Sequence, residues 1–220
     1  TLMAIDQAAL KQSVCLDCYP YEASSTMLNA EKASRTEEVL ITWSQPHPEH
    51  SGQSLKTVAK DWGLSLHAAA QRLMPGGAIY FSMAAEDVER VLQHPLTMIG
   101  SDGLPHDRRP HPRLWGTFPR MLGHYSRDKK LLTLETAIHK MTGLPAQRFG
   151  LRGRGIIAPG NSADLVLFDR LEVRDNASYD EPNLPSSGIH AVYVNGHLAL
   201  SRGKQTDAHA GRRLIPSRTP

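Results

Sequence analysis

The sequence contains few cysteines and aromatic residues, and no long apolar run. Only two of its 220 residues are cysteine, Cys15 and Cys18, and aromatic residues make up 6%. Two neighbouring cysteines without a second pair do not build a disulfide framework, which favours a reduced, cytoplasmic setting. No stretch approaches the ~18 apolar residues of a spanning helix, and the first residues lack the basic-then-apolar layout of a signal peptide. We therefore expect no membrane association.

An excess of charge of one sign is also missing. The chain carries 25 Lys and Arg against 22 Asp and Glu, for a formal net charge of +3. Because these charges form no block, a nucleic-acid-binding surface is not indicated. The 40% of hydrophobic and 21% of charged residues are typical of a folded globular protein and exclude a disordered chain.

Hydrophobic periodicity predicts alternating helices and strands. Apolar spacing predicts helices over 54–62, 65–74, 85–93 and 133–142. Short apolar runs predict strands near 13–19, 36–44, 96–100, 163–169 and 189–195, the last leading through an Asn-Gly turn to 197–201. We interpret 20–30 as a loop, and 104–123 as a Pro-, Arg- and His-rich loop without a periodic element. A loop of that length in a compact domain is usually functional.

Asp102 is the strongest single candidate for chemistry. It follows the short apolar strand near 96–100 and precedes Gly103. A carboxylate at the C-terminal end of a barrel strand is where catalytic residues lie. An aspartate after a strand also commonly forms an Asx-turn or caps a helix. The residues alone leave both interpretations open.

The long loop after Asp102 carries a group of basic residues: His106, Arg108, Arg109, His111, Arg113 and Arg120. An arginine presents a planar fork that matches a carboxylate in a bidentate manner. For Arg108 and Arg109 we favour a solvated basic loop. The spacing of His106 and His111 is not a recognised zinc pattern, so we expect both to bond to loop backbone.

Cys15 and Cys18 have the spacing of a CxxC motif. The chain offers no second pair of ligands and no thioredoxin-like βαβ setting around them. On an extended strand the two thiols would also point to opposite faces. We therefore expect neither a redox nor a zinc role for them.

Four segments together carry a resemblance to a known family. They are GSDGLPHDRRPHPRLWGTFPR at 100–120, DCYPYEASST at 17–26, HPEHSGQSL at 47–55 and PGGAIYFSM at 75–83. With these segments the chain resembles the N-acyl-D-amino-acid deacylases (D-aminoacylases) of the amidohydrolase superfamily. The run RGIIAPGNSADLVLFD at 154–169 looks like the segment by which many amidohydrolases re-enter their β-sandwich. The resemblance spans nearly the whole chain, in the family's order.

This resemblance implies an α/β fold: the C-terminal part of a TIM-like metal-dependent hydrolase barrel, with an inserted lid region and small β-sandwich strands. Residues 1–30 would hold a barrel strand and a substrate loop, and 31–95 the lid. Residues 96–154 would hold the last barrel strand, the active-site loop and a helix. Residues 155–220 would belong to the C-terminal β-sandwich.

The resemblance also implies a reaction, the zinc-dependent hydrolysis of the N-acyl amide bond of N-acyl-D-amino acids. Asp102 would be the catalytic general base and proton shuttle, and could help to hold a second, weaker metal. Tyr19, Ser25 and Arg113 match the family positions that bind the α-carboxylate of this small-molecule substrate.

The main metal ligands of the family do not match any part of the sequence. They are His and Cys residues on earlier strands, and the chain has no HxH strand motif. A complete barrel also needs roughly 200 to 250 residues. We therefore expect the C-terminal part, somewhat under half, of a longer deacylase, which would need the N-terminal half as its partner and be inactive alone. Alternatives are another amidohydrolase of the dihydroorotase or hydantoinase kind, or a truncated, non-catalytic module.

Overall fold

The computed structural model describes residues 1–105, 107 and 109–216, so the predictions for His106 and Arg108 lie outside the described residues. The helices are α1 Leu2–Ala9, α2 Ala30–Arg35, α3 Leu55–Trp62, α4 Leu66–Leu73, α5 Ala85–Gln93, α6 Arg113–Arg120, α7 Leu134–Met141 and α8 Gly143–Arg148, with a 3-10 helix Pro48–His50 and a π-helix Met121–Asp128. The strands are β1 Leu16–Cys18, β2 Ala23–Met27, β3 Glu38–Ser44, β4 Gly76–Phe81, β5 Thr97–Ile99, β6 Leu165–Phe168, β7 Ile189–Val194, β8 His197–Ser201 and β9 Lys204–Gln205.

The helices predicted from periodicity are confirmed. Serine or threonine hydroxyls cap three of them: Ser54 accepts from the Lys56 N–H, Ser65 from that of Ala68 and Thr133 from that of Thr136. Among the described residues, no helix is long and apolar enough to cross a bilayer.

Strands β1 and β5 form a two-stranded parallel sheet. Leu16 is paired with Thr97 and Cys18 with Ile99, and the Gly100 N–H donates to the Cys18 carbonyl beyond the last pair. Parallel strands bring their C-terminal ends to one edge, so the segments that follow Cys18 and Ile99 leave the sheet side by side. The mixed α/β class is thereby confirmed, and the residues described here form no closed barrel.

Residues 23–81 contain a three-stranded antiparallel sheet of order β2-β4-β3. Helices α2, α3 and α4 contribute to a buried core with it, including Ala33, Val58 and Leu73, each fully buried or nearly so. Strand β2 lies in the stretch that we predicted to be a loop, so that prediction was wrong. Its sequence ASSTM lacks the alternation of apolar and polar residues that marks a half-buried strand.

The C-terminal part forms a four-stranded antiparallel sheet of order β6-β7-β8-β9. Asn195 and Gly196 join β7 to β8, and both have positive φ, 48° and 80°. Those angles belong to the hairpin turn that the Asn-Gly pair predicts. The strands expected near 163–169 and 189–195 are thus confirmed.

Helix α6 and the π-helix occupy the stretch for which we predicted no periodic element, and that prediction was wrong. The buried residues of α6 are Arg113, Gly116 and Thr117, which have helical spacing. None of the three is an apolar core residue, so a search for apolar periodicity misses the helix. Pro119 lies inside this helix, and proline in a sequence is typical of a loop or a helix end.

Candidate active site

The candidate site lies at the C-terminal edge of the β1/β5 sheet. Tyr19 follows β1 directly, and Asp102 lies three residues after the end of β5. Arg113 is the first residue of α6, and Ser25 is the middle residue of β2. All four residues that we predicted to form the site come together around the Arg113 guanidinium.

Arg113 is a buried cation with three partners. Its side chain is 1% exposed, and its Nη2 lies 2.7 Å from Oδ2 of Asp102. Nη2 also donates to the Ser25 main-chain carbonyl at 3.4 Å, and the guanidinium carbon lies 4.4 Å from the centre of the Tyr19 ring. Nε is buried without a hydrogen-bond partner among the described residues. The buried charge is therefore compensated by one carboxylate, one carbonyl and one aromatic face.

Asp102 has one carboxylate oxygen on Arg113 while its side chain remains 62% exposed. Its φ is 45°, in the left-handed region. The residues on either side of it are linked, because the Gly103 N–H donates to Oγ of Ser101 at 3.3 Å. Among the described residues, the contact of this carboxylate is with Arg113, and most of the side chain remains open to solvent.

His111 connects the arginine to the antiparallel sheet. Its Nδ1 accepts the Arg113 backbone N–H at 3.0 Å, and its Nε2 donates to the Ala23 carbonyl at 3.0 Å. Burial, followed by the charge of Arg113, lowers the pKa of His111 to about 3. The imidazole is therefore neutral near pH 7, with both nitrogens engaged. His111 thus bonds to backbone as expected, although its partners belong to β2 and α6 and not to the loop.

An aromatic wall that the sequence reasoning missed surrounds His111. The rings of Tyr21 and Tyr179 lie edge-on to the imidazole, with centroids 5.1 and 5.2 Å away, and Phe81 packs on Tyr179 at 4.7 Å. Burial raises the pKa of the Tyr21 and Tyr179 hydroxyls. Tyr21 lies in the quoted segment DCYPYEASST, but no local pattern marks Tyr179, which lies 68 residues after His111 in the sequence.

The Tyr19 ring packs on the Arg113 guanidinium. Burial is the main influence on its hydroxyl and raises its pKa, although Arg113 acts in the opposite direction. The phenol is therefore protonated at neutral pH and can donate a hydrogen bond to an anion. Arg113 and Tyr19 together supply donors of the kind that bind a carboxylate.

Two further arginines of the loop have structural partners. Arg120 donates from Nε to the Pro20 carbonyl at 2.9 Å, and its Nη1 lies 3.0 Å from Oδ2 of Asp175. Arg109 donates to the Asp180 carbonyl. The prediction that Arg109 lies in a solvated basic loop was thus wrong, because the arginine connects the loop to a segment that precedes β7.

Similarity to known proteins extends over most of the chain. A sequence model described as the Amidohydrolase family matches residues 37–199. The chain belongs to the amidohydrolase family. The D-aminoacylase of Alcaligenes xylosoxydans xylosoxydans is 53% identical over 214 residues, which cover 97% of this chain and 44% of that protein.

Two solved structures of deacylases superpose closely on this amidohydrolase chain. A crystal structure of a D-aminoacylase superposes with a TM-score of 0.94 at 52% identity, over 97% of this chain and 45% of that one. The N-acyl-D-glutamate deacylase of Bordetella bronchiseptica, complexed with zinc and a phosphonate inhibitor, superposes with a TM-score of 0.89 at 50% identity, over 92% and 43%. The chain thus spans less than half the length of the deacylases it matches.

The metal-binding capacity of this amidohydrolase chain is limited at the candidate site. Among the described residues, only two groups of three potential ligands lie close together, and neither contains Asp102. Cys18 is no substitute, because burial, followed by the charge of Asp17, raises the pKa of its thiol to about 11. Asp102 therefore belongs to no cluster of three potential ligands within the part of the chain that the structure describes.

Proposed function

We propose that the chain supplies the carboxylate-binding and proton-transfer residues of a zinc-dependent N-acyl-D-amino-acid deacylase. The reaction is hydrolysis of the N-acyl amide bond, which yields a carboxylic acid and a D-amino acid. The observation that carries the proposal is the buried Arg113 guanidinium, paired with Asp102 at the C-terminal edge of the parallel strand pair.

A purely structural role explains Arg113 poorly. An apolar residue of similar size is often at least as stabilising as a buried ion pair, because removing charges from water costs several kcal/mol. The partner carboxylate is mostly exposed and can move, so the guanidinium can exchange Asp102 for the α-carboxylate of a substrate. Tyr19 adds a protonated phenol beside it. Ser25 positions the arginine through its main-chain carbonyl.

Binding the α-carboxylate at Arg113 orients the rest of the substrate. With this group held, the amide carbonyl carbon is only a few bonds from the guanidinium, which itself lies beside Asp102. The Asp102 carboxylate would accept the proton of the attacking water and deliver it to the leaving nitrogen. Holding the reactants in this way lowers the barrier by several kcal/mol, and fixes which enantiomer presents its acyl group to the carboxylate.

Zinc supplies Lewis acidity and a water molecule of lowered pKa when it is bound. Asp102 is the residue of this chain that would contact it. The principal ligands would come from preceding polypeptide, as would the strands that close a TIM-like barrel around β1 and β5. In this arrangement 31–95 is the lid, 155–220 is the sandwich portion, and the enzyme works in the cytoplasm.

The test uses the complete reading frame that contains this sequence. The purified protein is assayed on N-acetyl-D-amino acids with neutral, aspartate and glutamate side chains, on their L-enantiomers, and on cyclic amides. We expect hydrolysis of D-substrates only, lost on chelation and restored by zinc. Equal turnover of both enantiomers, or turnover of cyclic amides alone, would contradict the proposal.

A further inference from the structure

A second group of potential ligands lies away from the candidate active site, on the segment that follows β3. Nδ1 of His47 lies 3.2 Å from Oε1 of Glu49, and Nε2 of His50 lies 3.7 Å from the same oxygen. A ligand atom from each residue lies within 4.8 Å of those of the other two. We propose that these three residues bind a divalent transition-metal ion, zinc in the first place.

The spacing between Glu49 and each of the two histidines suits a small tetrahedral ion. With Zn–N and Zn–O distances near 2.0–2.2 Å, neighbouring ligand atoms of a tetrahedral site lie about 3.4 Å apart. The two distances to Glu49 fall on either side of that value. Two imidazoles and one carboxylate leave a fourth position for water, and imidazole nitrogen suits zinc better than magnesium or calcium.

The two histidines are held in place by neighbouring groups. Nδ1 of His50 lies 2.9 Å from Oε1 of Gln53. In the tautomer that donates from Nδ1 to this oxygen, the Nε2 lone pair faces Glu49. Metal-ligating histidines characteristically donate their second N–H to an oxygen in this way. The His47 backbone N–H donates to Oγ of Ser44, which fixes the start of the 3-10 helix.

One wall of the site is apolar. The rings of His47 and His50 each pack against Trp62 with centroids 4.9 Å apart. Their side chains are 23% and 15% exposed, whereas that of Glu49 is 60% exposed. The imidazoles are therefore shielded by the indole on one side, and the carboxylate marks the side from which an ion enters.

An ion at this position would stabilise a segment that contacts the active-site loop. Gly52, two residues after His50, packs so closely on the Arg109 side chain that a Cβ there would collide with it. Arg109 in turn donates to the Asp180 carbonyl. The proposed ion is thus structural: it fixes the turn after β3, and through Gly52 the position of Arg109. This inference does not depend on the proposed deacylase activity.

The second group of three potential ligands is a natural control. Asp169, Glu172 and His190 also lie close together, but Oδ1 of Asp169 already accepts the Leu171 N–H at 2.7 Å. Glu172 and His190 are both exposed. We therefore expect no comparable affinity there, and His190→Ala serves as a matched loss of one imidazole.

The experiment measures zinc stoichiometry and affinity by equilibrium dialysis against Zn²⁺ alone, using the full chain. We expect His50→Ala and His47→Ala each to lose one zinc equivalent relative to the parent, while His190→Ala keeps it. Gln53→Ala, which removes only the partner of the His50 N–H, should lower the zinc affinity of this site by about 10-fold. Unchanged stoichiometry and affinity in His50→Ala would overturn the proposal.

A second measurement covers the case in which an alanine variant does not fold. Co²⁺ is added to the folded parent and to Gln53→Ala, and the visible absorption of the bound ion is recorded. A tetrahedral site with two imidazoles and one carboxylate should give visible d–d bands that titrate with one equivalent. The proposal would be contradicted if the parent gave the spectrum of six-coordinate cobalt and if Gln53→Ala bound Co²⁺ with the same stoichiometry and affinity as the parent.

Discussion

Arg113 and Asp102 form an ion pair of unequal burial, with Nη2 2.7 Å from Oδ2 and side chains 1% and 62% exposed. Because the buried partner cannot leave and the exposed partner can, a ligand carboxylate competes with Asp102 rather than with solvent. Occupation of the guanidinium by substrate would release Asp102 for proton transfer. In the proposed mechanism, the pair would thus link substrate binding to the readiness of the base.

Asp102→Asn tests both proposed properties of Asp102, proton transfer and competition with the substrate for Arg113. Without a carboxylate to accept the proton, kcat should fall by about 100-fold to 10,000-fold. Substrate affinity should not fall, because the amide competes less strongly for Arg113 than the carboxylate does. The measurements are kcat with saturating N-acetyl-D-amino acid and the Kd of a non-hydrolysable analogue. Retained turnover would remove Asp102 from the mechanism.

Arg113→Lys tests the carboxylate clamp. Lysine keeps the charge but loses the planar fork, which should cost about 1.5–3 kcal/mol, or roughly 10-fold to 150-fold in kcat/KM. Most of the loss should be in KM. Arg35→Lys is the control, because Arg35 lies on the surface with its side chain 81% exposed. Equal KM values in the two variants would count against a clamp at Arg113.

Tyr19→Phe separates the hydroxyl from the ring. The ring 4.4 Å from the Arg113 guanidinium carbon is retained, so the variant should fold normally. Loss of a hydrogen bond to a charged group should raise KM by about 10-fold. In the parent, the pKa of Tyr19 lies above its usual value, chiefly because of burial, so this contribution to KM should not titrate away below about pH 10. A KM that Tyr19→Phe leaves unchanged would exclude this donor.

The His111 imidazole makes stability depend on pH. Its pKa is about 3 in the folded chain, against 6.5 in the absence of burial. Below pH 6.5 the unfolded chain binds the proton first, so stability falls as the pH drops from about 6.5 to about 3, by at most ~1.4 kcal/mol for each unit. Above pH 6.5 this contribution is constant.

His111→Gln should flatten that part of the stability profile, measured by denaturant unfolding between pH 4 and pH 7. His67→Gln provides the comparison, because the His67 side chain is 39% exposed. The glutamine at 111 can still donate to the Ala23 carbonyl, which favours a folded variant. If both variants keep the parent slope, His111 is not the group responsible.

The parts of the fold that local chemistry determines were predictable from the sequence. Ser54, Ser65 and Thr133 each precede an apolar stripe of helical spacing, and each caps the helix that begins there. The Asn195-Gly196 turn likewise follows from the backbone angles those residues tolerate. Such signals are contained within a few residues and need no knowledge of distant contacts.

The parts that depend on distant contacts were not predictable in this way. Helix α6 buries an arginine, a glycine and a threonine instead of apolar side chains, so apolar periodicity does not mark it. Tyr179 reaches His111 only through the tertiary fold. The grouping of Tyr19, Ser25, Asp102 and Arg113 came from the family resemblance. The structure shows that these residues are neighbours, and their roles stay proposals.

The left-handed backbone at Asp102 limits which substitutions there can be interpreted. At a φ of 45°, Asn and Gly are tolerated, whereas other L-residues incur about 1–2 kcal/mol of strain. Asp102→Glu, the usual means of shifting a carboxylate by one methylene, would therefore also strain the backbone at this position. In a saturation library at this position, inactive Ala and Glu members would report backbone distortion together with lost chemistry, and only Asn would isolate the carboxylate.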